Sequence, residues 1–371
     1  MCKPTRNAFG LFLLITGLTL NTAFSGEPGP MPVRTTWYVG KIGDNGQVQV
    51  ELHVPIETWS GLRKVTGSYF YEALGERLEL IGTIDGQKLE LHEEAVTGDG
   101  TGSFSGDMDA DDDKVVMTWS SKDGIRKLPV TLQRIADDTS LSFTQGSKVT
   151  ISYCRPEFLS DSPLAKAVES RLRADIASEF ASDSKFPADG WPKSGEDREL
   201  SRDENIVRST IAYYCNSLIS LRVHTYSDDG GAHGNEWIES RNFVLLSGKL
   251  HEMKMGDLFL PDSDYQSRLS GYCLTALREK QASFVVDGTM KNLKAGDMKA
   301  FVLGPQGITI TFSPYAVASF AEGAFDVTIP WKIISDIVVK DPLMDRWISA
   351  QKRHGGAAND IPNVVQYDNN L

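Results

Sequence analysis

Cysteine is scarce in this 371-residue sequence, positive charge is in deficit, and no catalytic or cofactor motif marks it. Four cysteines over such a length exclude a small core stapled by disulfides. Lys and Arg number 38 against 50 Asp and Glu, a net charge of −12 that repels nucleic acid and anionic lipid and favours basic partners. Nucleophile elbow, phosphate loop and dinucleotide fingerprint are all missing. So are the zinc-protease helix motif and any paired-cysteine spacing. Catalytic groups can be scattered along a chain, but nothing here selects them. Beyond residue 25 no stretch is apolar enough to span a bilayer, which needs about 20 residues. No cofactor and no metal is expected.

The first 25 residues carry the clearest positive signal. Lys3 and Arg6 precede an apolar run from Ala8 to Leu20, and Ala23-Phe24-Ser25 ends it with small residues. That order reads as a cleavable signal peptide over residues 1–25, cut before Gly26. The mature protein is then expected in the periplasm or outside the cell, without stable membrane insertion. Cleavage leaves 36 basic against 50 acidic residues, a charge of −14. It also leaves Cys154, Cys215 and Cys273, which allow one disulfide plus a free thiol, or three buried thiols. The pairing stays open.

After a Pro/Gly spacer from Gly26 to Pro32, period-two alternation dominates residues 33–136. Val48-Val50-Leu52-Val54, Leu78-Leu80, Leu89-Leu91, Val115-Met117-Trp119 and Leu128-Val130-Leu132 are separated by turns such as Asp85-Gly86 and Asp123-Gly124. The pattern predicts an all-β antiparallel meander, closed as a barrel or stacked as a sandwich. His92-Glu93-Glu94 follows a strand without partner spacing and reads as surface. The polar stretch Ala136 to Gly146 reads as a linker.

Residues 147–340 mix elements. Leu164-Ala167-Val168-Leu172-Ile176 has helical spacing, residues 182–202 read as a loop, and 265–284 reads as a second helix. Strands are predicted over 149–153, 207–214, 218–226, 237–246, 301–303, 308–312 and 325–329. This is an α+β domain with a mostly antiparallel sheet covered by helices. Residues 355–371 lose apolar pattern and read as a disordered tail.

Two segments hold the candidate site residues. Asp228-Asp229-Gly230-Gly231-Ala232-His233-Gly234-Asn235 packs three glycines into five positions, which requires unusual backbone angles or close approach. His233 there either satisfies carbonyls in a tight crossover or belongs to a contact surface. His224, His233 and His251 are too few and too spread for a zinc site. The acidic run from Asp107 to Asp113 lacks the glycine and closing glutamate of a calcium loop and reads as a solvated hairpin.

The second domain resembles the C-terminal domain of RsiV-type anti-sigma factors, the extracellular part that binds lysozyme and that also accompanies PdaC-type peptidoglycan deacetylases. Four segments carry the likeness: 218–221 leading into Gly230-Gly231-Ala232-His233-Gly234; Gly248-Lys249-Leu250 leading to Gly256-Asp257-Leu258-Phe259; Phe301-Val302-Leu303 with Gly307-Ile308-Thr309-Ile310; and Tyr315 to Gly323 running on to Ile329-Pro330. It covers roughly residues 145–340 and departs from the family's usual residues at Ala316, Ser319 and Phe320. With neither a deacetylase domain nor a sigma-binding segment in the sequence, the resemblance implies a non-enzymatic binding role in the cell envelope. The partner it implies is a basic, lysozyme-type wall-cleaving enzyme. The partner-binding candidates are Gly230, Gly231, His233, Asn235, Tyr315, Phe320 and Glu322. The alternative is a module for peptidoglycan or another envelope glycan, stacked on Trp37, Trp59, Trp119 or Trp237. Trp119, alternating with Met117 and Val115, reads as core.

Overall fold

The computed structural model describes residues 33–44, 46–56, 61–94, 100–109, 113–145, 149–183, 203–228 and 233–354. The expected leader, its spacer, the C-terminal tail and nearly all of the 182–202 loop lie outside those residues.

The alternating N-terminal runs form eight antiparallel strands: β1 (Val33–Ile42), β2 (Gly46–Pro55), β3 (Leu62–Tyr71), β4 (Arg77–Asp85), β5 (Lys88–Glu94), β6 (Gly100–Met108), β7 (Lys114–Ser121) and β8 (Lys127–Gln145). Each pairs with the next, and β1 closes on β8 from Ile42↔Val130 to Thr36↔Asp137. The meander is therefore a closed barrel. Its inward positions are apolar, among them Val50, Leu52, Leu91, Phe104, Val115 and Leu132. Outward positions such as Lys64, Glu79, Lys88, Glu90 and Thr118 are exposed and polar. The residual interior void is only about 10 Å³, so the barrel is a filled core and not a ligand cup.

A carboxyl group sits inside. Glu93, expected at the surface, is 3% exposed and continues the inward face of Leu89 and Leu91. Its carboxylate accepts from the Tyr69 hydroxyl at 2.5 Å, from Trp119 Nε1 at 3.0 Å and from the Thr101 hydroxyl. A bulge makes this possible: Glu93 faces Gly102 and Glu94 faces Gly100, leaving Thr101 as the extra residue whose side chain turns inward. Burial, with Tyr71 and Glu93 beside it, pushes the Tyr69 phenol well above its ordinary range.

The expected linker is a strand. β8 leaves the barrel and from Ala136↔Phe158 to Gln145↔Val149 pairs with β9 (Val149–Phe158). Two of its acidic side chains hold arginine partners. Asp137 pairs with Arg134 at 3.0 Å, and Asp138 with Arg208 at 3.3 Å. The sheet continues through β10 (Asp203–Tyr214), parallel to β9, then antiparallel β11 (Ile219–Asp228), β12 (Asn235–Leu246) and β13 (Lys249–Glu252), giving thirteen strands in order. Helix α1 (Pro163–Asp183) makes the crossover that a parallel pair needs and lays Leu164, Val168 and Leu172 on Ile219, Leu221 and Phe243.

Burial governs Asp138. It is 7% exposed, and burial pushes its carboxyl up to about 6 against the pull of Arg208. A folded-state value above the ordinary 3.8 stabilises fully at acid pH below that value. The contribution is lost as pH rises through about 6, leaving a cost at neutral pH on the order of 2–3 kcal/mol. Asp138→Asn is therefore expected to flatten the stability profile between about pH 4 and 6, relative to the parent, in urea titrations. An unchanged difference between the two proteins across that window would refute it.

The remaining elements build the largest core. A second sheet, β14 (Phe301–Gly304), β15 (Gly307–Phe312) and β16 (Phe325–Pro330), is antiparallel. Around it pack α2 (Tyr265–Glu279), α3 (Ser283–Val286), α4 (Trp331–Ile334) and α5 (Pro342–His354). The helix expected over 265–284 breaks in two at Gln281, whose φ is +62°. Helix α5 lies beyond the expected domain end at 340, yet Met344, Trp347 and Ile348 are core residues. Barrel and core touch directly. Phe70, on the outer face of β3, joins this core beside Tyr213. The Gln49 amide donates to the Tyr214 carbonyl at 2.8 Å and accepts from its amide at 3.0 Å, mimicking a strand partner. Cys154 and Cys273 are buried and Cys215 half-buried, and all three are free thiols.

Candidate functional site

Two loops distant in sequence meet beside the N-terminal end of β12. The His233 ring stacks on Phe320 with centroids 4.3 Å apart and planes at 19°. Phe320 in turn meets Tyr315 at 5.4 Å and 35°. The result is a continuous ridge of three rings.

Local chemistry fixes each loop. A Cβ on Gly234 would lie 2.4 Å from the end of the Tyr226 ring, so any larger residue there must displace that ring. The Gly234 carbonyl accepts from His233 Nδ1 at 2.8 Å, which orients the imidazole. Glu322 secures the other loop. It accepts from the Ser319 amide at 3.0 Å and hydroxyl at 2.7 Å, and from the Ser283 hydroxyl at 2.6 Å. Those bonds from Ser283 and Ser319 hold its carboxyl down at about 2, ionised throughout the useful pH range. Ser313 bonds the Ile238 amide at 2.8 Å and so ties the start of the Tyr315 loop to β12.

Tyr315 is the unusual member. Its φ is +67°, and its side chain is 56% exposed. A bulky residue in that backbone region costs on the order of 1–3 kcal/mol. Core packing does not offset it, since more than half of the ring faces solvent.

The candidates thus divide. His233, Phe320 and Tyr315 are brought together, Glu322 fastens the loop that presents two of them, and Asn235 is exposed at the start of β12. Gly230 and Gly231 lie outside the described residues. His224 pairs with Glu236 at 2.9 Å and His251 with Asp257 at 3.0 Å. Among the described residues no three His, Cys, Asp or Glu side chains converge to hold a metal.

Of the tryptophans, Trp37 is buried and donates to Glu51 at 3.1 Å, while Trp119 is half-buried against the barrel core and donates to Glu93. Trp59 lies outside the described residues. Trp237 is 41% exposed and floors a cleft of about 670 Å³ between α1 and the face of β9–β12. The sequence alone did not reveal that cleft, because its floor joins four strands.

Comparison with known proteins places part of the chain. Residues 256–332 match a family model described as a protein of unknown function, DUF3298. The match spans the Tyr315 loop, the second sheet and α2. No curated protein matches the chain. Similar solved structures include a DUF3298 family protein from Pseudomonas aeruginosa PAO1, 14% identical with a TM-score of 0.40, covering 56% of this chain and 93% of that one. Another is a DUF3298 member from Bacteroides fragilis NCTC 9343, 16% identical with a TM-score of 0.39, covering 58% and 98%.

Proposed function

We propose that this chain is an exported, non-enzymatic binding protein of the bacterial cell envelope that offers the Tyr315–Phe320–His233 ridge to a basic, lysozyme-type protein. The observation that carries the reading is Tyr315, strained and exposed at once. Strain kept without a packing return is a mark of a functional position. An exposed tyrosine braced by a second ring is the kind of rigid anchor that dominates protein interfaces. The RsiV-type resemblance of residues 145–340 supports the lysozyme class, and the acidic charge of −12 suits a basic partner. The leader-like residues 1–25 support export.

The test is capture of purified lysozyme by the mature protein, set against binding to wall sacculi. Association should weaken as salt rises, because the partners carry opposite charge. Tyr315→Ala is expected to weaken capture by about 1–3 kcal/mol. Tyr315→Gly separates binding from folding. Glycine adopts positive φ without strain, so this variant should melt no lower than the parent while losing capture. Full capture by folded Tyr315→Gly, or turnover of wall fragments by the parent, would refute the proposal. A mature N-terminus near Gly26 is expected in periplasm or medium. A membrane-held chain still beginning at Met1 would refute export.

A further inference from the structure

Beyond the ridge, we infer that the cleft between α1 and β9–β12 is a binding site for a neutral oligosaccharide. Its floor is one cross-strand row, Tyr153–Val207–Thr225–Trp237, set by the registers of four neighbouring strands. The next row adds Ser209 and Glu239 either side of Val223. At about 670 Å³ the cleft falls within the roughly 300–1,000 Å³ of small-molecule sites.

Charge decides the ligand class. Four cations line the cleft, and each is matched internally. Arg241 donates to both oxygens of Glu252 at 2.8 and 2.7 Å and to Asp175 at 2.6 Å. Arg171 donates to Asp175 at 2.8 Å, Arg155 pairs with Glu169 at 2.8 Å, and Lys299 lies 3.7 Å from Glu239. Burial pushes the Asp175 carboxyl up, but its bonds to the two arginines outweigh that and hold it below the usual range. Among the described residues that surface holds no surplus cation for a phosphate and no free carboxylate cluster for a metal.

What it does hold is an array of planar polar groups locked in place by one another. Ionised carboxylates keep lone pairs for further hydroxyl donors, and guanidinium edges keep N–H groups for hydroxyl oxygens. Sugars offer donors and acceptors together around each ring, with an apolar face of C–H groups between them. Trp237 supplies the exposed aromatic plane for that face. Ser209 and Thr225 add neutral hydroxyls to the lining. A nucleotide or a peptide carboxylate would leave its charge facing groups already neutralised.

The experiment is a titration of the mature protein with chitotetraose and cellotetraose, followed by intrinsic tryptophan fluorescence and calorimetry, with ATP and inorganic phosphate as anionic probes. Saturable binding of at least one oligosaccharide is expected, with neither anion bound. Trp237→Ala should weaken it at least tenfold, and Trp237→Phe should restore most of the affinity by returning a ring. Trp237 is half out in solvent, so both variants should melt like the parent, which circular dichroism would verify. Absence of saturable binding to both sugars at millimolar concentration would overturn the inference. So would affinity unchanged in folded Trp237→Ala, or a preference for ATP or phosphate. Lysozyme capture depends on Tyr315 and is scored separately, so either idea can fail alone.

Discussion

Glu93→Ala is expected to lower the unfolding free energy by about 3–5 kcal/mol, among the largest single-residue effects in the barrel. The carboxylate is the shared acceptor for the buried Tyr69 hydroxyl and the half-buried Thr101 and Trp119 donors, and alanine removes it from all three. Each stranded donor costs about 1–3 kcal/mol. The lost side chain also opens a void in an interior whose present void is about 10 Å³. Glu93→Gln keeps an acceptor carbonyl in place and should cost roughly 1–2 kcal/mol. Urea unfolding of both variants gives the comparison directly. A loss below about 1 kcal/mol for alanine would mean that water replaces the carboxylate, and the barrel end would then have to be open.

A filled barrel with an internally satisfied carboxylate has no room for cargo. The Gln49 amide holds the backbone of β10, and Phe70 enters the same core as Tyr213. Both ties sit on the sheet that carries the ridge and the cleft. The barrel and the C-terminal elements are therefore joined through β10.

Period-two alternation made the barrel strands legible, since each one-residue shift exchanges core for solvent. The same rule misread two places. Glu93 sits at a core position in the alternation but showed no partner spacing and read as surface, because its donors Tyr69, Thr101 and Trp119 come from three other strands. In β8 the polar residues Asp137 and Asp138 suggested a linker, because their arginine partners include one that lies on another strand, Arg208 of β10. The ridge was half legible. Its members were marked by glycine content and by family likeness, while the contact between His233 and Phe320 is tertiary. The cleft was invisible because Tyr153 and Trp237 become neighbours only through the β9–β10–β11–β12 registers.

The C-terminal helix yields the second large effect. Ending the chain at residue 340, the boundary that sequence pattern suggested, is expected to leave a protein that does not fold. Helix α5 contributes Trp347, which is 1% exposed, together with Met344 and Ile348. Trp347 stacks on Trp331 at 5.6 Å and meets Tyr213 edge-on at 5.0 Å, so it joins α4 to β10. Gln351 adds a clamp, donating to the Pro305 and Gln306 carbonyls at 3.1 and 2.6 Å and accepting from the Lys332 amide at 3.1 Å. Trp347→Ala alone should cost about 3–5 kcal/mol. Losing the whole helix adds Met344, Ile348 and the clamp, and approaches the roughly 5–15 kcal/mol that holds a typical protein together. Trp347→Phe sharpens the test. The indole N–H is buried with no partner among the described residues, so removing it relieves a penalty that partly offsets the smaller ring. Phenylalanine should therefore cost less than about 1.5 kcal/mol, well below alanine. Thermal unfolding of the two variants and of the 340-residue chain tests the ranking. A cooperative transition in the truncated chain near the parent's would show that α5 is an appendage and not part of the core.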